Sequence, residues 1–439
     1  MALNLRARIR YFREHRFVQN FAILQFGSVG NIVQALVGVF LVRILKPELY
    51  GIYSLSFALA GLMTVVLGLG VQDAITTLVS EAYARQDKEG THQALAFLVW
   101  SSILLGVAAV IGALFAPFIA SHLYHNATIG SYAMIIIFAS ILSSLFYTFS
   151  TLALQVVNRY KAMTALGLLD QLSRTGLSLI FVLLGLGVLG AVFGHLIGAS
   201  IVLITSVFLW QSIRKAHPIF PSLESLLRTR NINFKKYFGF SFWVAVDRNL
   251  SNLYNILPLI LTGIFVTTTQ VTYFKLAFGY INLALSFLGP ISTILAVEFP
   301  KMKVVDSSRL AKNFIKVSLY SCAISIGLTG LAIIASPVAF HILYSHATDQ
   351  SIPYVYGLFV YGAIMGLGTG LGALNRALAK MKFSIIIHLV VLGAGVPVAL
   401  LLIKQWGIWG TVISVTGWYV SIILINFFYL LRQLKKNPA

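Results

Sequence analysis

Twelve stretches of about twenty or more apolar residues follow one another along this 439-residue chain, and no other feature restricts its fold as much. A helix that crosses a bilayer needs about 20 such residues, because each adds about 1.5 Å toward a hydrocarbon core about 30 Å thick. Separated by polar breaks, the runs lie near 17–42, 50–72, 92–116, 130–156, 162–186, 189–211, 237–264, 271–296, 312–336, 353–374, 383–403 and 408–431. Most are apolar around the whole helical circumference, unlike an amphipathic helix resting on a soluble core. Composition agrees: 58% of residues are hydrophobic and only 10% charged, against about a quarter charged in an ordinary soluble domain. The expected fold class is an all-α polytopic membrane protein with 12 transmembrane helices. Cys322 is the only cysteine; it has no intramolecular disulfide partner and reads as packing within an apolar run.

The few charges are lopsided, with 32 Lys and Arg against 12 Asp and Glu, a net charge of +20. In a soluble chain such an excess suggests a nucleic-acid partner, but in a membrane chain basic residues collect on the cytoplasmic side. With the N-terminus inside, 26 of the 32 fall in inside segments, from Arg6, Arg8, Arg10, Arg13 and Arg16 to Arg432, Lys435 and Lys436. Only Arg43, Lys46 and Lys404 fall outside, while Arg174, Arg248 and Lys275 lie within spans. The split predicts both termini in the cytoplasm, in the cell's inner (cytoplasmic) membrane, and requires no nucleic acid. The basic N-terminal segment reads as a cytoplasmic tail rather than a signal peptide, because the apolar run behind it is too long.

An internal repeat organises the spans. APFIASHLYHNAT (residues 116–128) and SPVAFHILYSHAT (residues 336–348) align at an offset of 220, matching Pro117 with Pro337 and Tyr124 with Tyr344. The same offset places GVLG (187–190) on GIWG (407–410), each leading into the last span of a half. Six spans per half make the repeat parallel. The expected organisation is therefore an N-terminal six-helix lobe (1–213), a cytoplasmic linker (214–236) rich in basic residues, and a C-terminal six-helix lobe (237–439). Transporters built from two repeats place substrate between them and rock one against the other.

RILKPELYG (residues 43–51) resembles the R-x-L-G-P-E-x-Y-G segment of polysaccharide-biosynthesis flippases, with Lys46 standing where that family has Gly. GIYSLSFALAGLMTVVLGLG (51–70) is similar to the family's second span, and VTYFKLAFGYINLALSFLGPISTILAVEFPKM (271–302) to its eighth. The resemblance is to the Wzx-type oligosaccharide flippases, in the superfamily that also holds multidrug extruders. It implies a V-shaped pair of pseudo-symmetric lobes working by alternating access. The implied substrate is a polyprenyl-pyrophosphate-linked oligosaccharide, such as an O-antigen or other surface-polysaccharide repeat unit, moved from the inner to the outer leaflet. It also implies the lipid bilayer and polysaccharide polymerase machinery as partners.

Sugars and a pyrophosphate cannot cross hydrocarbon without polar and cationic company, so such a cavity needs polar walls and fixed positive charge near mid-depth. The seventh span offers DRNLSNLYN from Asp247 to Asn255. Asp247, Ser251, Tyr254 and Pro258 share one face, and Arg248, Asn252 and Asn255 the adjoining stripe. Arg248 suits bidentate contact with phosphate, or else a structural pair with another helix. In the fifth span Asp170 and Arg174 stand at i, i+4, either as a neutralised pair or with Arg174 reaching substrate. Asn31 and Gln34 in the first span read as sugar contacts or interhelical hydrogen bonds. Lys275 reads as a cavity cation or as a side chain snorkelling to the outer edge.

Asp247 and Asp170 are the candidates for ion coupling, although each has an Arg nearby. Arg43 is expected to pair with Glu48. Gly362, Gly366 and Gly370 in the tenth span read as close helix packing or a flexible gate. No phosphate loop of the G-x-x-x-x-G-K-[ST] type occurs, so no nucleotide cofactor is expected; the loop histidines lack metal-ligand spacing, so no metal is expected. An ion-coupled multidrug extruder on the same fold is the alternative function, distinguished by an acidic rather than basic cavity. A membrane enzyme needs an external catalytic surface, which the short outer loops do not supply.

Overall fold

The computed structural model describes residues 16–436 apart from 68–70, 158, 230, 231, 233, 290, 293, 294, 296–298, 300, 301, 303–306, 345 and 379. Among the described residues there is no strand. The helices are α1 (Arg16–Leu67), α2 (Val71–Ala84), α3 (Lys88–Tyr124), α4 (Ala127–Val156), α5 (Tyr160–Phe181) and α6 (Gly187–Ala216). A short α7 (Leu223–Arg228) precedes α8 (Phe234–Phe265), α9 (Thr268–Leu285) and α10 (Ser307–Tyr344). Three short helices, α11 (Ile352–Gly357), α12 (Phe359–Met365) and α13 (Leu371–Ala377), lead to α14 (Met381–Trp406) and α15 (Ile408–Lys436).

Seven stretches among the described residues are long and apolar enough to cross a membrane, and one of them, Tyr160–Ala216, holds both the fifth and the sixth expected spans. Large apolar side chains stand on their outer faces: Ile334 is 77% exposed and Leu104 70% exposed. In water such a belt is an aggregation hazard, whereas in a bilayer it is the lipid contact. The chain is a multi-pass membrane protein.

The first two expected spans form the single helix α1, kinked at Lys46, whose backbone sits at φ 63, ψ 159. That region is essentially reserved for glycine, which accounts for the Gly that the flippase motif carries at this position. The repeat shows in backbone geometry. Gly187 (φ 58, ψ −146) and Gly407 (φ 55, ψ −128) adopt nearly the same conformation at the start of α6 and α15. Pro117 and Pro337 lie inside the matching helices α3 and α10. Asn126 in the repeated loop caps α4, its side chain accepting from the Thr128 amide at 3.0 Å.

The tenth expected span departs most from expectation. Gly362 and Gly366 do pack closely, since a Cβ at Gly366 would lie 2.1 Å from the Ser321 carbonyl oxygen. At Gly370, however, φ reaches +94. Between α12 and α13 the chain runs through successive three-residue turns, with the Leu367, Gly368 and Thr369 amides donating to the carbonyls of Ile364, Met365 and Gly366. Irregular backbone at membrane depth is tolerated where it lines a cavity or is buried in protein.

The lobes meet along α1 with α8 and α9, and along α2 with α8. At the end of the bundle carrying residues 43–51 the approach is backbone to backbone: a Cβ at Gly51 would lie 2.0 Å from the Thr268 carbonyl oxygen. Thr272 donates to the Pro47 carbonyl there at 2.6 Å. The same buried cluster takes Leu45, Leu55 and Tyr50 from the first half and Val271, Phe274 and Phe340 from the second.

Candidate functional site: two adjoining cavities

A cavity of about 570 Å³ lies between the lobes. On the N-terminal side α1 contributes Gln34, Gly38, Tyr50, Tyr53 and Phe57, α5 contributes Thr175, and α6 contributes His195. On the other side α9 contributes Lys275, Gly279 and Asn282, and the 3-10 turn that follows it contributes Ser286. Lys275 stands eight residues into the membrane from the Thr267 cap, about 12 Å at the helical rise. It does not snorkel to the edge; it lines the cavity opposite Gln34. Among the described residues it has no carboxylate within ion-pair distance, and no Asp or Glu lines this cavity. A desolvated cation without a counter-ion is costly in this setting, and an anionic ligand would remove the cost.

Arg174 is placed differently. Its Nε meets Asp170 Oδ1 at 2.6 Å, Nη2 donates to Ser143 Oγ at 2.6 Å, and Nη1 donates to His195 Nε2 at 3.3 Å. The side chain is only 14% exposed. Gly198 permits this network, because a Cβ there would meet the Arg174 Cα at 2.6 Å and push α5 and α6 apart. Of the two sequence readings, the paired one matches the geometry, and Arg174 reaches the cavity only through His195. The ring of His195 meets Phe57 edge-on at 5.0 Å.

A second cavity, of about 450 Å³, lies within the C-terminal half among α8, α9, the broken tenth span, α14 and α15. Asp247 and Ser251 line it from α8, Thr369 and Asn375 from the broken span, His388 from α14, and Tyr419 and Asn426 from α15. Among the described residues, Asp247 is its only charged lining residue. Asn282 of α9 and Ser286 just beyond its end line both cavities.

The residues singled out from sequence thus separate. Gln34 and Lys275 come together in the inter-lobe cavity, Asp247 and Ser251 in the other, and Asp170 and Arg174 in a network between α4, α5 and α6. Asn255 accepts a hydrogen bond from Tyr419 at 3.1 Å, and Asn252 is exposed on α8. The side chains of Arg248 and Asn31 lie outside the described residues. Arg43 donates to the Ile342 carbonyl and makes no ion pair with Glu48 among the described residues, so it ties α1 to α10. Sequence reasoning passed over His195, His388, Asn282, Asn375 and Asn426. All but Asn375, which directly follows the tenth run, are polar groups inside apolar runs, and that was the available signal.

The architecture defines a class. A multidrug-resistance MATE transporter of the MOP superfamily in its inward-facing conformation superposes with a TM-score of 0.76, at 16% identity over 94% of this chain and 96% of that one. The outward-facing conformation of a MATE transporter gives 0.66 at 18% identity over 96% of each chain. The lipid II flippase MurJ, inward closed, gives 0.63 at 16% identity over 93% of this chain and 87% of that one. The chain therefore has the MATE and MurJ fold. Its residues 17–305 match the model of the polysaccharide biosynthesis protein family, and the chain belongs to that family. No curated protein matches it.

Proposed function

We propose that this protein flips a polyprenyl-pyrophosphate-linked oligosaccharide from the inner to the outer leaflet of the cytoplasmic membrane. The observation that carries this reading is Lys275, a cation with no carboxylate partner among the described residues, in a cavity bordered by both halves of the chain. An anionic headgroup supplies the missing counter-charge, and the pyrophosphate is the anion such a lipid brings. Gln34, Tyr53 and His195 border the same space and hold the headgroup's polar edge. The lobes, 1–213 and 237–439, alternate access about the linker 214–236, with both termini cytoplasmic as the basic residues predict. The close contact of residues 43–51 with Thr268 then shuts the outer end in this state.

The MurJ neighbour is itself a lipid II flippase, which supports the substrate class. The MATE neighbours favour drug extrusion instead, but an extruder of organic cations calls for a carboxylate where this cavity presents Lys275. Asp170 is paired with Arg174 at 2.6 Å, and Asp247, the other candidate for coupling to an ion gradient, lines the C-terminal cavity. Reconstituted vesicles test the proposal: lipid-linked oligosaccharide placed in one leaflet should become accessible in the other only when the protein is present. Transport of an organic cation dye in place of the glycolipid would contradict it.

A further inference from the structure

We infer that the 450 Å³ cavity of the C-terminal half is a sugar compartment, separate from the place where the phosphate is held. The inference rests on the flippase reading and names how one headgroup divides between two adjoining spaces.

Electrostatics separates the two cavities. Among the described residues, the inter-lobe cavity is lined by Lys275 and by no acidic residue, and the C-terminal one by Asp247 and by no Lys or Arg. The cation draws a pyrophosphate to the first. What the second offers is neutral hydrogen-bonding chemistry, from Asn282, Ser286, Thr369, Asn375, Ser384 and His388. Its volume falls in the range of about 300–1,000 Å³ usual for small-molecule sites, far above what a bare ion fills.

Two buried polar atoms are left for a ligand. Asn375 is 2% exposed; its amide nitrogen donates to Asn426 Oδ1 at 3.3 Å, while its own Oδ1 is buried with no hydrogen-bond partner. His388 is 9% exposed, and its Nδ1 is likewise buried without a partner. Leaving such groups unsatisfied is costly unless a ligand completes them. Sugar hydroxyls both donate and accept, so one hydroxyl can donate to Asn375 Oδ1 and another can meet the imidazole in either tautomer. Tyr419 adds an aromatic ring against which the apolar face of a pyranose can lie.

The route between the compartments runs along α9. Lys275, Asn282 and Ser286 stand at i, i+7 and i+11, on one face. Gly279 lies between them, and a Cβ built there meets nothing within 4 Å, so the face is a trough. From Lys275 to Asn282 is about 10.5 Å along the axis. Asn282 accepts from the Tyr361 hydroxyl through Oδ1 at 2.6 Å, which fixes the side chain and leaves its amide nitrogen as a donor. A phosphate at Lys275 therefore leads its sugars past Asn282 and Ser286 toward Asn375 and His388.

The test compares the affinities of the purified protein for polyprenyl-pyrophosphate-linked oligosaccharide and for polyprenyl pyrophosphate bearing no sugar. The wild type should bind the glycolipid more tightly. Asn375→Leu and His388→Phe should each weaken glycolipid binding about tenfold and leave affinity for the bare lipid within about twofold, which also shows that the variant is folded. If Asn375→Leu does not fold, His388→Phe and Thr369→Val, both confined to the second cavity, carry the test. Equal wild-type affinity for the two lipids, or an unchanged preference in folded variants, overturns the sugar compartment. Binding of neither lipid by the wild type overturns the flippase reading itself, and with it this inference.

Discussion

Arg174 and Lys275 are both cations at membrane depth in helices that border one cavity, yet their surroundings are opposites. Arg174 gives a donor to each of three side chains, Asp170, Ser143 and His195, and is bound into the N-terminal half. Lys275 has no carboxylate near it among the described residues and borders open space. The contrast teaches that depth and charge do not identify a ligand-binding cation. What decides is whether the protein already supplies the counter-charge. A cation that the fold has satisfied holds helices together, and one that the fold has left unsatisfied is available to an anion.

The contrast can be broken experimentally. Lys275→Met should have the largest effect, lowering glycolipid transport about 100-fold, the loss expected when a desolvated charge pair with the substrate is removed. Its thermal unfolding temperature should not fall, since no internal pair is lost; a large fall would place Lys275 with Arg174 as a structural residue. Arg174→Met should act the other way, costing about 2 kcal/mol of stability by leaving Asp170 partly buried and unpaired. Adding Asp170→Leu should restore most of that loss in thermal unfolding, and failure to do so would show that the pair is not what Arg174 supports.

His195→Phe sharpens the comparison, because His195 both accepts from Arg174 and borders the cavity of Lys275. Removing one hydrogen bond at its edge should cost about 1 kcal/mol of stability, with a transport loss smaller than that of Lys275→Met. Lys46→Gly supplies a lysine control outside the Arg174 network and the cavity lining. Relieving its φ of 63 should stabilise the protein by about 1 kcal/mol in thermal unfolding.

Much of the architecture was legible because it rests on local and periodic signals. Apolar runs mark helices, and the GVLG and GIWG repeats foretell the matching positive φ of Gly187 and Gly407. The break at 366–370 was hidden by its own composition. Glycines at i, i+4 and i+8 are the signature of close packing, and Gly362 and Gly366 do pack, but Gly370 adopts a left-handed φ that turns the chain along a cavity.

The site was legible in its residue types and not in their roles. Nothing local to Arg174 reveals that Ser143 and His195, 31 and 21 residues away, take up its remaining donors. Nothing local to Lys275 reveals the absence of such partners. The unpartnered atoms of Asn375 and His388 are likewise a property of packing, since their neighbours come from other helices. Tertiary contacts decide which polar groups are spent and which are left over, and sequence spacing carries little of that information.

The most direct measurement is the affinity of the purified protein for polyprenyl pyrophosphate in two variants, Lys275→Met and the double variant Asp170→Leu with Arg174→Met. The expected result is loss of binding in the first and near wild-type binding in the second. Retained binding in Lys275→Met together with loss in the double variant would contradict the assignment, and would move the phosphate site to Arg174.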